Sequence, residues 1–284
     1  MTGRTRSWSR ERWRRKRVRA LLIAVAVLVF ALPLAWTFVA SFGIHPDTSS
    51  WPPRWSKPYL DGYRDVGIAE KDFGAELLTS AATSSVATIL SVLVGFLASF
   101  SLARSRLRGK GRLAQGFLVL ASLPVMAYII PLNGTITALS LHDTFAGISL
   151  AQAAIFSPFA VYVLFGYLRQ VPLELEQAAR LEGASALRTL LGVTLPVAGP
   201  GIAAAAIIVF VLNWNSFLAP MVLTTNHVRT IPLAMSDFFI VDRELEWPTA
   251  AAALVVSVLP LIAFVAVAHR ALERFFLQPT SEAG

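Results

Sequence analysis

The side chains able to do acid, base, nucleophilic or metal chemistry are few in this chain, and they do not converge. With no cysteine among 284 residues, disulfides and thiolate chemistry are excluded. His45, His142 and His227 fall in polar connections and His269 closes an apolar run, none at the spacing of a metal-ligand set. No G-x-x-x-x-G-K-[ST] occurs, since Lys110 is followed by Gly111, so the chain has no P-loop to cradle nucleotide phosphates. One stretch stands out, "EQAARLEGASALRTLLGVTLP" at 176–196. It sets Glu176, Arg180, Glu182 and Arg188 among small residues, a glycine and a closing proline, between two long apolar runs. Such a set suits a contact with another surface better than a reaction. A membrane-embedded enzyme would need acids, bases or metal ligands at one depth, and the apolar runs supply none.

The elements that hold this stretch are membrane spans. Hydrophobic residues make up 55% of the chain and charged residues 15%, more apolar than a water-soluble core of this size requires. Stretches free of Asp, Glu, Lys and Arg run over 20–46, 77–103, 113–142, 144–168, 189–228 and 247–269. Each exceeds the roughly 20 residues that a helix needs to cross about 30 Å of hydrocarbon. Backbone in lipid must satisfy its own hydrogen bonds, so these runs are expected as helices. The expected fold class is an all-α membrane protein of six transmembrane helices, at about 20–42, 77–103, 113–138, 146–168, 197–222 and 247–269, with a cytoplasmic loop at 170–196. A basic tail at 1–19 precedes this 20–270 domain and a tail at 271–284 follows it. Pro33, Pro124, Pro131, Pro158, Pro220 and Pro260 are expected to kink or end helices.

Charge sets the orientation. The N-terminal tail, the 104–112 connection, the connection after the fourth run and the C-terminal tail hold 19 of the 25 Lys and Arg. The remaining connections hold six basic residues against eleven acidic ones, so the positive-inside rule puts both termini and the 170–196 loop in the cytoplasm. The arginine-rich start, with Trp8 and Trp13, is read as an orientation signal beside anionic lipid rather than a nucleic-acid contact. It also resembles a signal-peptide n-region, but the apolar run after it is too long for an h-region and five more runs follow.

Within the loop, Pro172 suits a helix start, and Glu174 and Glu176 follow at the positive end of its dipole. Leu175, Ala178, Ala179 and Glu182 share a shallow face that another surface could approach. Gly183 is expected to cap this helix, Ser185 to start a second through Leu191, and Pro196 to set the exit into a run whose "AGPGIAAAA" permits close packing.

These residues carry a family resemblance. The spacing is similar to the EAA loop of importer-type ABC permeases: Glu-Ala-Ala, three residues, Gly, nine residues, an aliphatic, any residue, then Leu-Pro. Gln177, Ala178, Ala179, Gly183, Val193, Leu195 and Pro196 hold those positions, with Gln177 in place of the acid and Glu176 beside it. The likeness extends over most of the chain and is closest to the carbohydrate-uptake branch, the MalG-like permeases. It is carried by "LPLAWTFVASF", "LARSRLRGKGRL", "LSLHDTFAGISL", "VPLELEQAARLEGAS" and "NWNSFLAPMVLT". The end, "LERFFLQPTSEAG", departs from the glycine-rich tail common in that group.

The resemblance implies a permease of the bacterial inner membrane, without an ATPase site of its own. Its implied partners are a second homologous permease, a dimer of ATP-binding subunits carrying ATP and Mg, and an extracytoplasmic solute-binding protein, in lipid and without nucleic acid. It implies that Glu176, Gln177, Ala178, Ala179, Glu182, Gly183, Leu195 and Pro196 couple to the ATPase. The alternative, an ordinary amphipathic connection on the bilayer surface, would carry a basic polar face, and this one is mixed.

Polar groups in apolar runs mark a candidate solute path: Asn133, Thr135, Thr137, Gln152, Asn213 and Asn215. Uncharged amides and hydroxyls suit a sugar, whereas a polyamine or phosphonate would call for charges inside the bundle. The same groups also serve as glue between helices, and Asn213 and Asn215 cannot both face one path. Outside, Trp51, Trp55, Trp247 and the acids Asp242, Glu244 and Glu246 are candidates to meet a binding protein, or, for the tryptophans, to anchor at the interface.

Overall fold

The computed structural model describes residues 4–47, 51, 54–66, 73–225, 227–238 and 247–276. The acidic cluster Asp242, Glu244 and Glu246 and the tail beyond residue 276 lie outside the described residues. The chain divides into two compact units, one of residues 1–71 and 241–256, the other of residues 72–240 and 257–284.

The first unit is built on α1, Arg4–Ala40. Its apolar part, Lys16–Ala40, buries none of its most hydrophobic stretch, so Leu21, Phe30 and Leu34 lie bare. Water would not tolerate that surface; hydrocarbon does. Pro33 sits inside the helix without ending it. A two-residue antiparallel pairing, β1 (Pro46–Asp47) with β2 (Arg54–Trp55), and the single-turn α2 (Asp61–Arg64) follow. Trp51, Trp55 and Trp247 are all exposed, and Trp36 meets the Trp55 ring edge-on at 6.2 Å.

The second unit holds the packed helices. α3 (Phe73–Arg104), α6 (Phe145–Leu168) and α9 (Leu195–Trp214) form its centre, with α4 (Lys110–Ala121) against α6. Val92 and Phe96 of α3, Leu164 and Leu168 of α6, and Ala198 and Ala205 of α9 share one core. Small residues bring the backbones close, as the alanine- and glycine-rich sequence led one to expect. A Cβ on Gly95 would lie 2.7 Å from the Ala160 Cβ, and one on Gly201 would lie 2.3 Å from the Tyr167 ring. α3 turns a stripe of small polar residues inward, Ser80, Ser84, Thr88, Ser91 and Ser99, all buried and spaced by three, four or eight residues.

The third apolar run is not one helix. α4 ends at Ala121, Pro124 follows, a 3-10 turn spans Val125–Ala127, and α5 covers Ile129–Ala138 with Pro131 in its first turn. Pro124 has no N–H to continue the ladder, which is why the run divides here. Its halves have 12 and 10 residues, too short to cross alone, so among the described residues five helices are long and apolar enough to do so. The fifth run also stops early: α9 ends at Trp214 and the separate α10 (Leu218–Leu223) packs against α5 and α6. α11 (Ile231–Asp237) and α12 (Trp247–Phe276) complete the order. α12 belongs to both units, and in the second its Phe264 stacks on Phe210 with centroids 3.6 Å apart.

Candidate functional site

The loop between α6 and α9 is a helical elbow. α7 runs over Leu173–Leu181 with Pro172 as its N-cap residue, and Glu174 and Glu176 lie in its first turn. Gly183 adopts φ +86°, the left-handed region that glycine enters at least cost. Around it the Gly183 N–H reaches the Arg180 carbonyl at 3.0 Å and the Ala184 N–H reaches that of Ala179 at 2.9 Å, the paired bonds of a Schellman cap. The Ser185 hydroxyl then accepts the Arg188 N–H at 3.3 Å and starts α8, Ala186–Thr189. A π turn over Leu190–Thr194 leads into α9, so the second arm of the elbow and the membrane helix are one continuous rod. Pro196 occupies the first turn of α9, where its missing N–H is no loss.

The surface of the elbow is bare. Gln177, Ala178, Glu182, Gly183, Leu195 and Pro196 are exposed and Ala179 is half-buried. Leu181 is 90% exposed and Leu187 64%, although both stand beside charged residues on a polar connection. Apolar side chains open on a polar connection are the kind of surface that a partner or a membrane covers. The sequence pattern did not single them out, because their exposure depends on how the elbow is held.

Glu176, expected in the same contact, faces the other way. It is the one buried residue of α7, and its Oε1 accepts from Arg104 Nη2 at 2.7 Å, from Arg104 Nε at 2.9 Å and from Thr194 Oγ1 at 3.0 Å. Arg104, the last residue of α3, also donates to the Leu168 carbonyl at 3.1 Å and the Val171 carbonyl at 3.4 Å, at the end of α6. Arg104 and Thr194 are therefore part of the site. By sequence they belonged to a basic connection and a helix exit; an arginine closing an otherwise uncharged run was the available signal.

The candidate path residues separate. Gln152 and Asn213 are brought together, the Gln152 amide donating to the Asn213 carbonyl at 3.4 Å and the Asn213 amide to Thr88 Oγ1 at 3.2 Å. Both are buried within this chain, between α3, α6 and α9, which is how interhelical glue sits. Asn215 is exposed and bonds its own helix through Val211 at 2.8 Å, so the two asparagines do face apart. Asn133 is half-buried, while Thr135 and Thr137 are exposed on α5.

At the opposite end of this unit, Asp143 accepts from the backbone N–H groups of His227 and Val228 at 3.1 to 3.2 Å. Arg229 pairs with Glu76 at 3.3 Å and the Ile231 N–H reaches Ser80 Oγ at 2.6 Å. These bonds pin the connection after α10 to the start of α3 and to the turn before α6.

The profile of the family described as "Binding-protein-dependent transport system inner membrane component" matches residues 91–278, which include the whole elbow. The chain is 32% identical over 257 residues to the trehalose transport system permease protein SugB of Mycobacterium tuberculosis (strain CDC 1551 / Oshkosh), covering 88% of this chain and 92% of that one. It is 30% identical over 262 residues to the diacetylchitobiose uptake system permease protein NgcG of Streptomyces coelicolor (strain ATCC BAA-471 / A3(2) / M145), covering 88% and 83%. Its fold matches a chain of a bacterial ABC transporter involved in the import of the acidic polysaccharide alginate, with a TM-score of 0.68 at 20% identity over 90% of this chain and 95% of the other.

Proposed function

The chain belongs to the family of binding-protein-dependent transport system inner membrane components, multi-pass permeases of ABC importers, and from that premise we propose that it is the permease half of a sugar importer. The observation that carries the coupling role is the elbow itself: a short capped helix, continuous through its second arm with a membrane helix, with Leu181 nearly fully exposed beside Gln177, Ala178 and Glu182. An apolar knob on a small-residue face fits a groove on a separate ATPase subunit. Two such subunits hold ATP and Mg and hydrolyse the nucleotide; this chain supplies the surface that they move. Their closure pushes α7, and α8 with α9 carries the displacement into the membrane, turning the path from inward-facing to outward-facing.

A second permease chain completes the path, an extracytoplasmic binding protein delivers solute, and both termini and the elbow lie in the cytoplasm. The sugar assignment is supported by apolar runs that carry no charged residue, and by relatives whose names carry trehalose and diacetylchitobiose. The test is co-purification with the remaining subunits, then ATP hydrolysis across a panel of sugars with their binding proteins. Stimulation by a sugar is expected. Stimulation by a polyamine or phosphonate and by no sugar would replace the substrate class, and failure to retain any ATPase subunit would remove the coupling role.

A further inference from the structure

We propose that Arg104, Glu176 and Thr194 form the joint through which the elbow moves three membrane helices as one body, with Arg104 and Glu176 as positioning residues for coupling. The proposal rests on the importer reading above. Chain connectivity alone joins the elbow to α6 and α9; α3 has no covalent link to it, Arg104 standing 72 positions before Glu176. The guanidinium of Arg104 supplies that link. Its bonds to Glu176 and to the Leu168 and Val171 carbonyls tie the end of α3 to α7 and to the end of α6. Glu176 extends the tie to α9 through Thr194, the residue before that helix begins.

Two features make this route stiffer than the backbone. Between α7 and the α8–α9 rod the chain passes through the left-handed turn at Gly183, where the helical hydrogen bonds are interrupted. The Glu176–Thr194 bond spans that turn. The joint is also shielded, with side-chain exposure of 13% for Arg104 and 4% for Glu176, and Thr194 fully buried. A pair on open surface would be screened and slack; this one is charge-assisted, forked and largely out of water. Glu176 thus pulls on the membrane helices from inside, while the exposed face of α7 remains for the ATPase.

The test uses the whole complex in liposomes, measuring solute moved per ATP hydrolysed. Glu176→Gln keeps the shape and loses the charge; Arg104→Lys keeps the charge and loses the fork. Both are expected to retain the ATPase subunits and hydrolysis while transport per ATP falls about tenfold or more, the loss of one charge-assisted bond. Thr194→Val is expected to lower the same ratio and Thr194→Ser to restore it, a pair that also serves if the charge variants fail to assemble. Because the chain has no cysteine, spin labels at Leu173→Cys on α7 and Leu97→Cys on α3 report the joint without activity. Their distance distribution should be narrow in the parent and broad with Arg104→Lys. Unchanged transport per ATP and an unchanged distribution would overturn the proposal. So would a folded Glu176→Gln chain that sheds the ATPase, which would make Glu176 a docking contact. A parent complex that never retains an ATPase would instead sink the importer reading.

Discussion

Gly183 has nothing within 4 Å of the point where a Cβ would stand, so a larger side chain there meets no neighbour. The constraint is the backbone, since φ +86° is costly for any residue with a Cβ by about 1–2 kcal/mol. Gly183→Val is therefore expected to insert and to retain the ATPase subunits but to loosen the Schellman cap, so that motion of α7 is no longer passed to α8 and α9. Uptake should fall while hydrolysis persists; normal uptake would count against the elbow's role. Glu176 teaches the complementary lesson at this scale. The neighbouring positions 176 and 177 are both expected in one contact, yet one lies under the helix and the other on top of it. A helix turns 100° per residue, so adjacent side chains cannot share a surface.

Among the elements, the crossing of α6 and α9 depends on Gly201, where a Cβ would sit 2.3 Å from the Tyr167 ring. Gly201→Leu is expected to force the rods apart, destabilising by about 1–3 kcal/mol as overpacking does. The measurement is the yield and thermal stability of detergent-purified protein, with Gly166→Leu as the control, since no atom stands within 4 Å of that position. The broken third run belongs at this scale too. Pro124 and Pro131 warned of it, but a proline inside a membrane helix is often carried through, as Pro33, Pro158 and Pro260 are here. Pro124 stands in extended backbone as the cap of the turn that follows it, whereas Pro33, Pro158 and Pro260 keep helical residues on both sides.

For the molecule as a whole, a cysteine-free chain makes topology directly testable. Leu181→Cys should react with a membrane-impermeant maleimide only in inside-out vesicles, and binding of the ATPase subunits should protect it. Labelling from the outside would reverse the orientation, and labelling unaffected by the ATPase would deny the docking face. The membrane class, the number of apolar runs and the elbow's own caps were all legible in one dimension. Each follows from local quantities: hydrophobic length, and a glycine or serine at a helix end. Only the tertiary structure decided that Gln152 and Asn213 close on one another inside the bundle, that Glu176 turns inward to an arginine far upstream, and that Leu181 stays bare. Those outcomes hang on which helices are neighbours and how they are rotated, and where the membrane helices are apolar on most sides, hydrophobic periodicity carries little information about rotation.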